Sequence, residues 1–236
     1  MKLRGYGISA GNFTLGHYRE LLAWGSPGLS ALGNSLSLAL ATACITAALG
    51  VFLALTVGDG RSRLRRAVDF ISLLPNTVPS IVMIVGLILF WNSPWVGQKI
   101  YNTYWMVLLT YVVLFLPFTA QYVNASYRQI SKTLFDAAGI GGGSPAYTFR
   151  RILLPLVLPG ILSGWVMTFI ISLRELVASL MILPPGMDNA ARFIYGQFEQ
   201  GSNSAGMAMA VVTMLSSTVA LILIDRFIPG RSEGRI

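Results

Sequence analysis

Residues 32–57 read LGNSLSLALATACITAALGVFLALTV, 26 residues without a charge. At 1.5 Å rise per residue, a helix of that length reaches about 39 Å, enough to cross the roughly 30 Å hydrocarbon core of a bilayer with tilt. The pattern recurs along the chain. Uncharged runs of 38, 29, 28, 22 and 25 residues lie between Glu20 and Asp59, Asp69 and Lys99, Lys99 and Arg128, Arg151 and Arg174, and Glu199 and Asp225. Only 11% of the 236 residues are charged and 54% are hydrophobic, whereas soluble domains carry about 25% charged residues. The sequence therefore predicts an all-α, polytopic transmembrane helical bundle with about five spans, forming a single domain over 1–236.

The predicted spans are Leu32–Val57, Phe70–Trp91, Tyr104–Val123, Leu156–Leu183 and Ala205–Ile228. Pro75 and Pro79 remove backbone donors from the second, which predicts a kink or a broken helix there. Pro117 sits inside the third, and the fourth contains the adjacent charges Arg174 and Glu175.

The net charge of +8 belongs to short loops between apolar spans rather than to a soluble basic face, so nucleic acid is not the expected partner. Alternate loops carry 11 and 5 Lys and Arg residues. By the positive-inside rule, the loop after the third span and the C-terminus face the cytoplasm and the N-terminus faces outward. A hydrophilic N-terminal segment of about 30 residues with three basic groups should not cross a membrane unaided. The expectation is an upstream span outside this chain, as in a fragment, a shortened gene product or half of a fused polypeptide.

Site chemistry is sparse. Cys44 and His17 are the single cysteine and histidine, so no internal disulfide, cysteine metal site or His-based zinc site is expected. No cofactor is called for. The glycine run Gly139–Gly143 lacks the Lys-Ser/Thr and the preceding strand of a phosphate loop, which argues against nucleotide binding by this chain. Ser172 and Ser179 have no His or Lys in their span to activate them, so no catalytic residue is assigned.

The most informative polar stretch is Asp136-Ala137-Ala138-Gly139-Ile140-Gly141-Gly142, followed by Ile152-Leu153-Leu154-Pro155. Tyr127–Ala138 reads as a short helix broken by the glycines. Ser144-Pro145 reads as an N-cap and first helical residue of a second short helix ending near Leu153. Tyr147, Phe149 and Ile152 make this second helix apolar for a solvated connection. It reads either as a plain connecting loop or as a docking surface.

The spacing of Asp136, Ala137, Ala138, Gly142, Ile152, Leu154 and Pro155, extended by Pro159-Gly160, resembles the EAA signature of binding-protein-dependent ABC importer permeases. The resemblance covers nearly the whole chain and implies the type I ABC importer permease fold. It also implies a non-enzymatic subunit of a bacterial inner membrane. A coupling loop at about 124–155 would dock into a cytoplasmic ABC ATPase dimer, with Asp136 meeting basic groups and Gly142 forming the turn. The usual leading Glu is Asp here, one methylene shorter. The implied partners are that ATPase, an extracytoplasmic solute-binding protein, a second permease domain (homodimeric, heterodimeric or fused) and membrane lipid. Arg174-Glu175-Leu176-Val177-Ala178-Ser179-Leu180 with Pro184-Pro185-Gly186, and the stretches Gln197–Gly201 and Gly206–Ala210, resemble ferric-iron importer permeases most. Permeases for 2-aminoethylphosphonate, other anions and polyamines share much of this pattern.

Arg174 and Glu175 follow 22 uncharged residues, and a charge at the centre of a span costs about 2.5–3.5 kcal/mol on the insertion scale. They line or gate a translocation route, form a structural site, or reach the membrane edge if the span begins early. Side chains of adjacent helical residues point about 100° apart, so partners on other helices are expected. A secondary carrier using Glu175 as its relay is the rival from another class.

Overall fold

A computed structural model describes residues 12–56, 74–96 and 99–225. Its helices are α1 (Gly16–Leu21), α2 (Pro27–Thr56), α3 (Ser80–Trp91), α4 (Tyr104–Arg128), α5 (Lys132–Ile140) and α6 (Pro145–Thr148). A π-helical turn (Phe149–Leu153) leads into α7 (Leu154–Leu173), followed by α8 (Val177–Ile182), α9 (Ala190–Gln200) and α10 (Asn203–Asp225).

Four of these segments are long and apolar enough to cross a membrane: Pro27–Leu53, Tyr104–Arg128, Pro145–Leu173 and Asn203–Leu223. The expected second span is the broken one. A helical turn at 74–77 is interrupted at Val78-Pro79, and α3 resumes for only 12 residues, about 18 Å. The expected five spans, the second kinked or broken at its prolines, are four long helices and one interrupted segment among the described residues. Residues 70–73 of the expected second span lie outside the description, as do Val57, 226–228 and the arginines at 61–66 that weigh heavily in the predicted orientation.

Boundaries moved where caps act. The first expected span starts five residues early, as α2, because Ser26 Oγ accepts the Leu29 N–H at 3.0 Å and donates to the Leu21 carbonyl at 2.6 Å. Pro27 supplies the first helical residue. The third expected span continues to Arg128 as α4, with Pro117 inside it. The expected helix over Tyr127–Ala138 is instead the end of α4 plus the separate α5.

The expected short helix after Ser144 fuses with the fourth span into one continuous helix over Pro145–Leu173. The π turn marks the join: the Leu154 N–H bonds the Phe149 carbonyl five residues back. Pro155 lacks an N–H and its ring crowds the preceding turn, which the wider turn accommodates. At its other end this helix stops at Leu173, ten residues before the expected Leu183.

Helices α2, α4 and α7 pack mutually and form the centre of the bundle. The α4–α7 contact is close because α7 presents Gly160 and Gly164 to α4. A Cβ at Gly160 would fall 2.7 Å from the Tyr122 carbonyl oxygen, and one at Gly164 would fall 2.9 Å from Thr119 Cα. Two small residues four apart are a recurrent device for close helix approach in membranes. Beside them Thr119 Oγ1 lies 2.8 Å from Thr168 Oγ1 and donates to Thr46 Oγ1 at 3.2 Å, all fully buried. This links the three helices through buried hydroxyls, of which Thr46 also reaches the Ala43 carbonyl and Thr119 the Gly164 carbonyl.

Helices α3 and α8 pack on α4 around Ile84, Tyr111, Phe115, Ala178 and Ile182. At the end of the bundle opposite the α4–α7 loop, Trp24, Trp95 and Trp105 are exposed. All three lie just outside or at the tips of apolar helices, where aromatic side chains gather at a membrane interface.

Candidate functional site

The loop between α4 and α7 carries one candidate site. Tyr127 and Phe135 approach at 6.4 Å between ring centroids and pack with Ile130 and Phe149 on a core of Val123, Leu153 and Val157. This anchors one face of α5 to the bundle. The other face is free: Asp136 and Ala137 are exposed, Ala138 is half-buried, and Ile140 is 90% exposed. Tyr147 on α6 is also exposed. An isolated nine-residue helix is marginal in water, so the anchored aromatics hold α5 in place.

The turn between α5 and α6 follows the glycine pattern. The Gly143 N–H bonds the Ala138 carbonyl at 2.9 Å, and Gly142 has φ +76° with nothing within 4 Å of a built Cβ. Space is therefore available and only the backbone conformation demands glycine. Ser144 Oγ accepts the Tyr147 N–H at 3.2 Å with Pro145 next, the cap expected from sequence. Gly142→Val is expected to destabilise the loop by about 1–2 kcal/mol while leaving the long helices intact. Hydrogen exchange should show deprotection confined to 132–148.

The seven signature positions do not share one surface. Asp136, Ala137, Ala138 and Gly142 shape the α5 loop, whereas Ile152, Leu154 and Pro155 lie on the π turn and first turn of α7. Leu153, the variable position of the pattern, is the one buried in the core at 7% exposure. The extra residue of the π turn rotates the following side chains, a shift that α-helical periodicity cannot anticipate. A groove of about 740 Å³ opens beside α5, lined by Ser126, Gln129, Leu134, Ala137, Leu156 and Pro159.

Arg174 and Glu175 form the second candidate site, and their setting differs from the one expected. They are not on a continuous helix: α7 ends at Leu173 and the backbone is unwound from Arg174 to Leu176 before α8. Glu175 Oε1 accepts the Ala178 N–H at 3.0 Å, occupying an otherwise orphaned donor of the first turn of α8. The Glu175 carbonyl accepts from Ser179 Oγ, and from Tyr111 Oη at 3.5 Å. Tyr111 Oη lies 2.8 Å from Ser179 Oγ, and Asn189 Nδ2 donates to both hydroxyls.

Asn189 Oδ1 accepts the Arg192 N–H at 2.9 Å and caps α9. The next residue, Ala190, donates its N–H to Ser35 Oγ on α2 at 2.8 Å. Tyr111, Ser179 and Asn189 are each at most 1% exposed. The network pins the unwound segment to α4 and the 183–189 connection to α2.

This pinning fixes the depth of the break. Tyr111 is seven residues inside α4 from Tyr104, about 10 Å along the helix, and 17 residues from Arg128 on the other side, about 25 Å. The charged pair is thus set well inside the bundle's length and not at its rim. Arg174 is exposed and Glu175 half-buried, and neither forms an ion pair among the described residues. The sequence reading missed Tyr111, Asn189 and the Gly160–Gly164 pair. The small-residue spacing was the available signal for the glycines; nothing local marks the other two.

Over residues 29–233 the chain matches the family described as "Binding-protein-dependent transport system inner membrane component". It is 28% identical over 224 residues to a Salmonella typhimurium protein named "Putative 2-aminoethylphosphonate transport system permease protein", covering 93% of this chain and 82% of that one. It is 25% identical to an Fe(3+)-transport system permease protein of Haemophilus influenzae, over 84% of this chain but 39% of that longer one. The fold superposes on a bacterial alginate ABC transporter crystallised with its alginate-bound periplasmic protein, with TM-score 0.76 and 19% identity over 95% of this chain and 85% of that one.

Proposed function

The chain belongs to the binding-protein-dependent transport system inner membrane component family, and on that premise we propose that it is the membrane-spanning permease subunit of an ATP-driven importer. It forms a translocation path together with a second permease domain and receives solute from an extracytoplasmic binding protein. ATP hydrolysis belongs to a separate cytoplasmic ATPase pair, into which the loop at about 124–155 docks. The observation that carries this reading is the α5 loop: anchored by Phe135 and Phe149, it turns an acidic and apolar face, Asp136 with Ile140 and Tyr147, away from the bundle. Residues 1–236 act as one permease domain, and Arg174 and Glu175 border the path.

Ferric iron is the proposed solute, supported by the Arg174–Leu180 and Pro184-Pro185-Gly186 stretches and by the Haemophilus relative. A second reading, 2-aminoethylphosphonate, is favoured by the Salmonella relative, whose length the chain covers more fully.

The test is purification of the tagged chain with its ATPase and binding protein, followed by reconstitution in proteoliposomes. The isolated chain should hydrolyse no ATP, and the complex should hydrolyse ATP faster with loaded binding protein. Uptake of labelled ferric iron against labelled 2-aminoethylphosphonate separates the two solutes. Uptake driven by an ion gradient without the ATPase would establish a secondary carrier instead.

A further inference from the structure

We infer that Arg174 gives the translocation path a positive potential at the helix break, and that the solute crossing there carries an oxyanion: a phosphonate, or ferric iron still held by a carboxylate chelator. This rests on the reading of the chain as the membrane-spanning subunit of an importer and adds the charge of what passes.

Three observations lead to it. First, the guanidinium of Arg174 is exposed and has no ion-pair partner among the described residues. The adjacent carboxylate is committed elsewhere, with Glu175 Oε1 on the Ala178 N–H. Asp188, the acid of the neighbouring connection, pairs with Arg192 at 3.3 Å. The exposed end of the pair is therefore the guanidinium, with the neighbouring carboxylate half-buried against the start of α8.

Second, the break lies about 10 Å inside the span, by its register against Tyr111. Lipid-exposed unwound backbone does not occur at such depth; it is tolerated only where it is buried in protein or lines a water-filled cavity. An exposed cation there requires the same setting.

Third, Arg174 does not stand alone on its face. Leu156, Ser163 and Met167 precede it by 18, 11 and 7 residues, close to whole helical turns, so these three share one strip of α7 that Arg174 follows as the helix C-cap. Leu156 and Met167 are 48% and 37% exposed. Around the helix from this strip, Gly160, Gly164 and Thr168 turn one way against α4, and Phe169 and Leu173 turn the other way toward α2. The strip ending in Arg174 is thus the exposed one between these two contacts, and on this proposal it faces the path.

An arginine facing water in a narrow low-dielectric route attracts anions and repels cations, because low-dielectric walls focus its field. The guanidinium fork also matches phosphonate and carboxylate geometry. Bare ferric ion and polyamines are disfavoured by the same field.

The test is charge-selective thiol labelling of the reconstituted complex, with modification of this chain read by intact mass. Cys44 is first replaced by Ser, leaving Met167→Cys, about 10 Å below Arg174 on the same face, as the chain's only thiol. An anionic methanethiosulfonate should label it faster than a cationic one. Arg174→Gln should lower the anionic-to-cationic rate ratio about tenfold, and Arg174→Lys should preserve it. Ser163→Cys provides a second reporter if Met167→Cys impairs assembly.

No labelling at either position, or a ratio unaltered by Arg174→Gln, overturns the proposal. Millimolar 2-aminoethylphosphonate, inorganic phosphate or ferric citrate should slow anionic labelling, and whichever does so identifies the source of the oxyanion; putrescine should not. Protection by putrescine alone, or by none of the four, overturns the solute assignment. A failure here with ATPase stimulation intact rejects the charge argument and leaves the importer reading standing.

Discussion

Replacing Gly160 with valine is expected to separate α7 from α4 and to reduce the yield of folded protein sharply. Even the first added carbon falls 2.7 Å from the Tyr122 carbonyl oxygen and 2.7 Å from Ser126 Cβ, both inside van der Waals contact. Ser126 can rotate, but the Tyr122 backbone cannot move without shifting α4. Such a shift breaks the hydroxyl contacts of Thr119 with Thr168 and Thr46, and with them the polar link between the three central helices. Overpacking of this kind costs about 3 kcal/mol. A fluorescence-detected thermal melt in detergent should show a clear drop in midpoint and a shift toward aggregate on size exclusion. Gly86→Ala on α3, where an added Cβ meets nothing within 4 Å, is the control and should match the parent. An unchanged midpoint for Gly160→Val would mean that α4 and α7 are not packed in this register.

The long helices were legible because charge is excluded from a span at high cost, so uncharged runs alone mark α2, α4, α7 and α10. Interruptions were legible only where proline announced them. Val78-Pro79 was anticipated, whereas the break at Arg174–Leu176 was not, because its cause is tertiary. The Ser179 and Tyr111 hydroxyls take up the Glu175 carbonyl and Asn189 donates to both, and Tyr111 and Asn189 lie 64 and 14 residues from Glu175 in the chain. No local pattern couples residues at that separation.

The caps show the same contrast. Ser144-Pro145 and Ser26-Pro27 are equally visible, and reading the second one would have placed the start of α2 correctly. In the α4–α7 loop, the turn at Gly142 follows from glycine's access to positive φ. The outward face of α5 depends instead on which aromatics find the core, and the π turn sets the directions of Ile152 within it and Leu154 just after it.

Charge reversal at Asp136 is expected to have the largest functional effect of any single exposed position. The side chain is exposed on the outward face of α5 and makes no contact that α5 needs, so Asp136→Lys should alter stability by no more than about 0.5 kcal/mol. Its effect falls on the proposed ATPase interface. Against a basic groove, the substitution exchanges an attraction for a repulsion, and like-charge juxtaposition at an interface costs several kcal/mol. Each 1.4 kcal/mol is about tenfold in affinity, so stimulated ATP hydrolysis and uptake should fall at least tenfold.

Asp136→Asn should lie between the two, since it removes the attraction without adding repulsion. Asp136→Glu, which restores the longer acid usual in the resembling permeases, should retain coupling. Because the contact is exposed at its rim, raising the salt concentration should weaken the parent complex and lessen the difference between parent and Asp136→Lys. Co-purification of the ATPase with each variant, at low and high salt, measures this directly. Full association and uptake with Asp136→Lys would place the ATPase contact elsewhere on the α4–α7 loop. Ile140 and Tyr147, the exposed apolar groups flanking the turn, would then be the positions to substitute next.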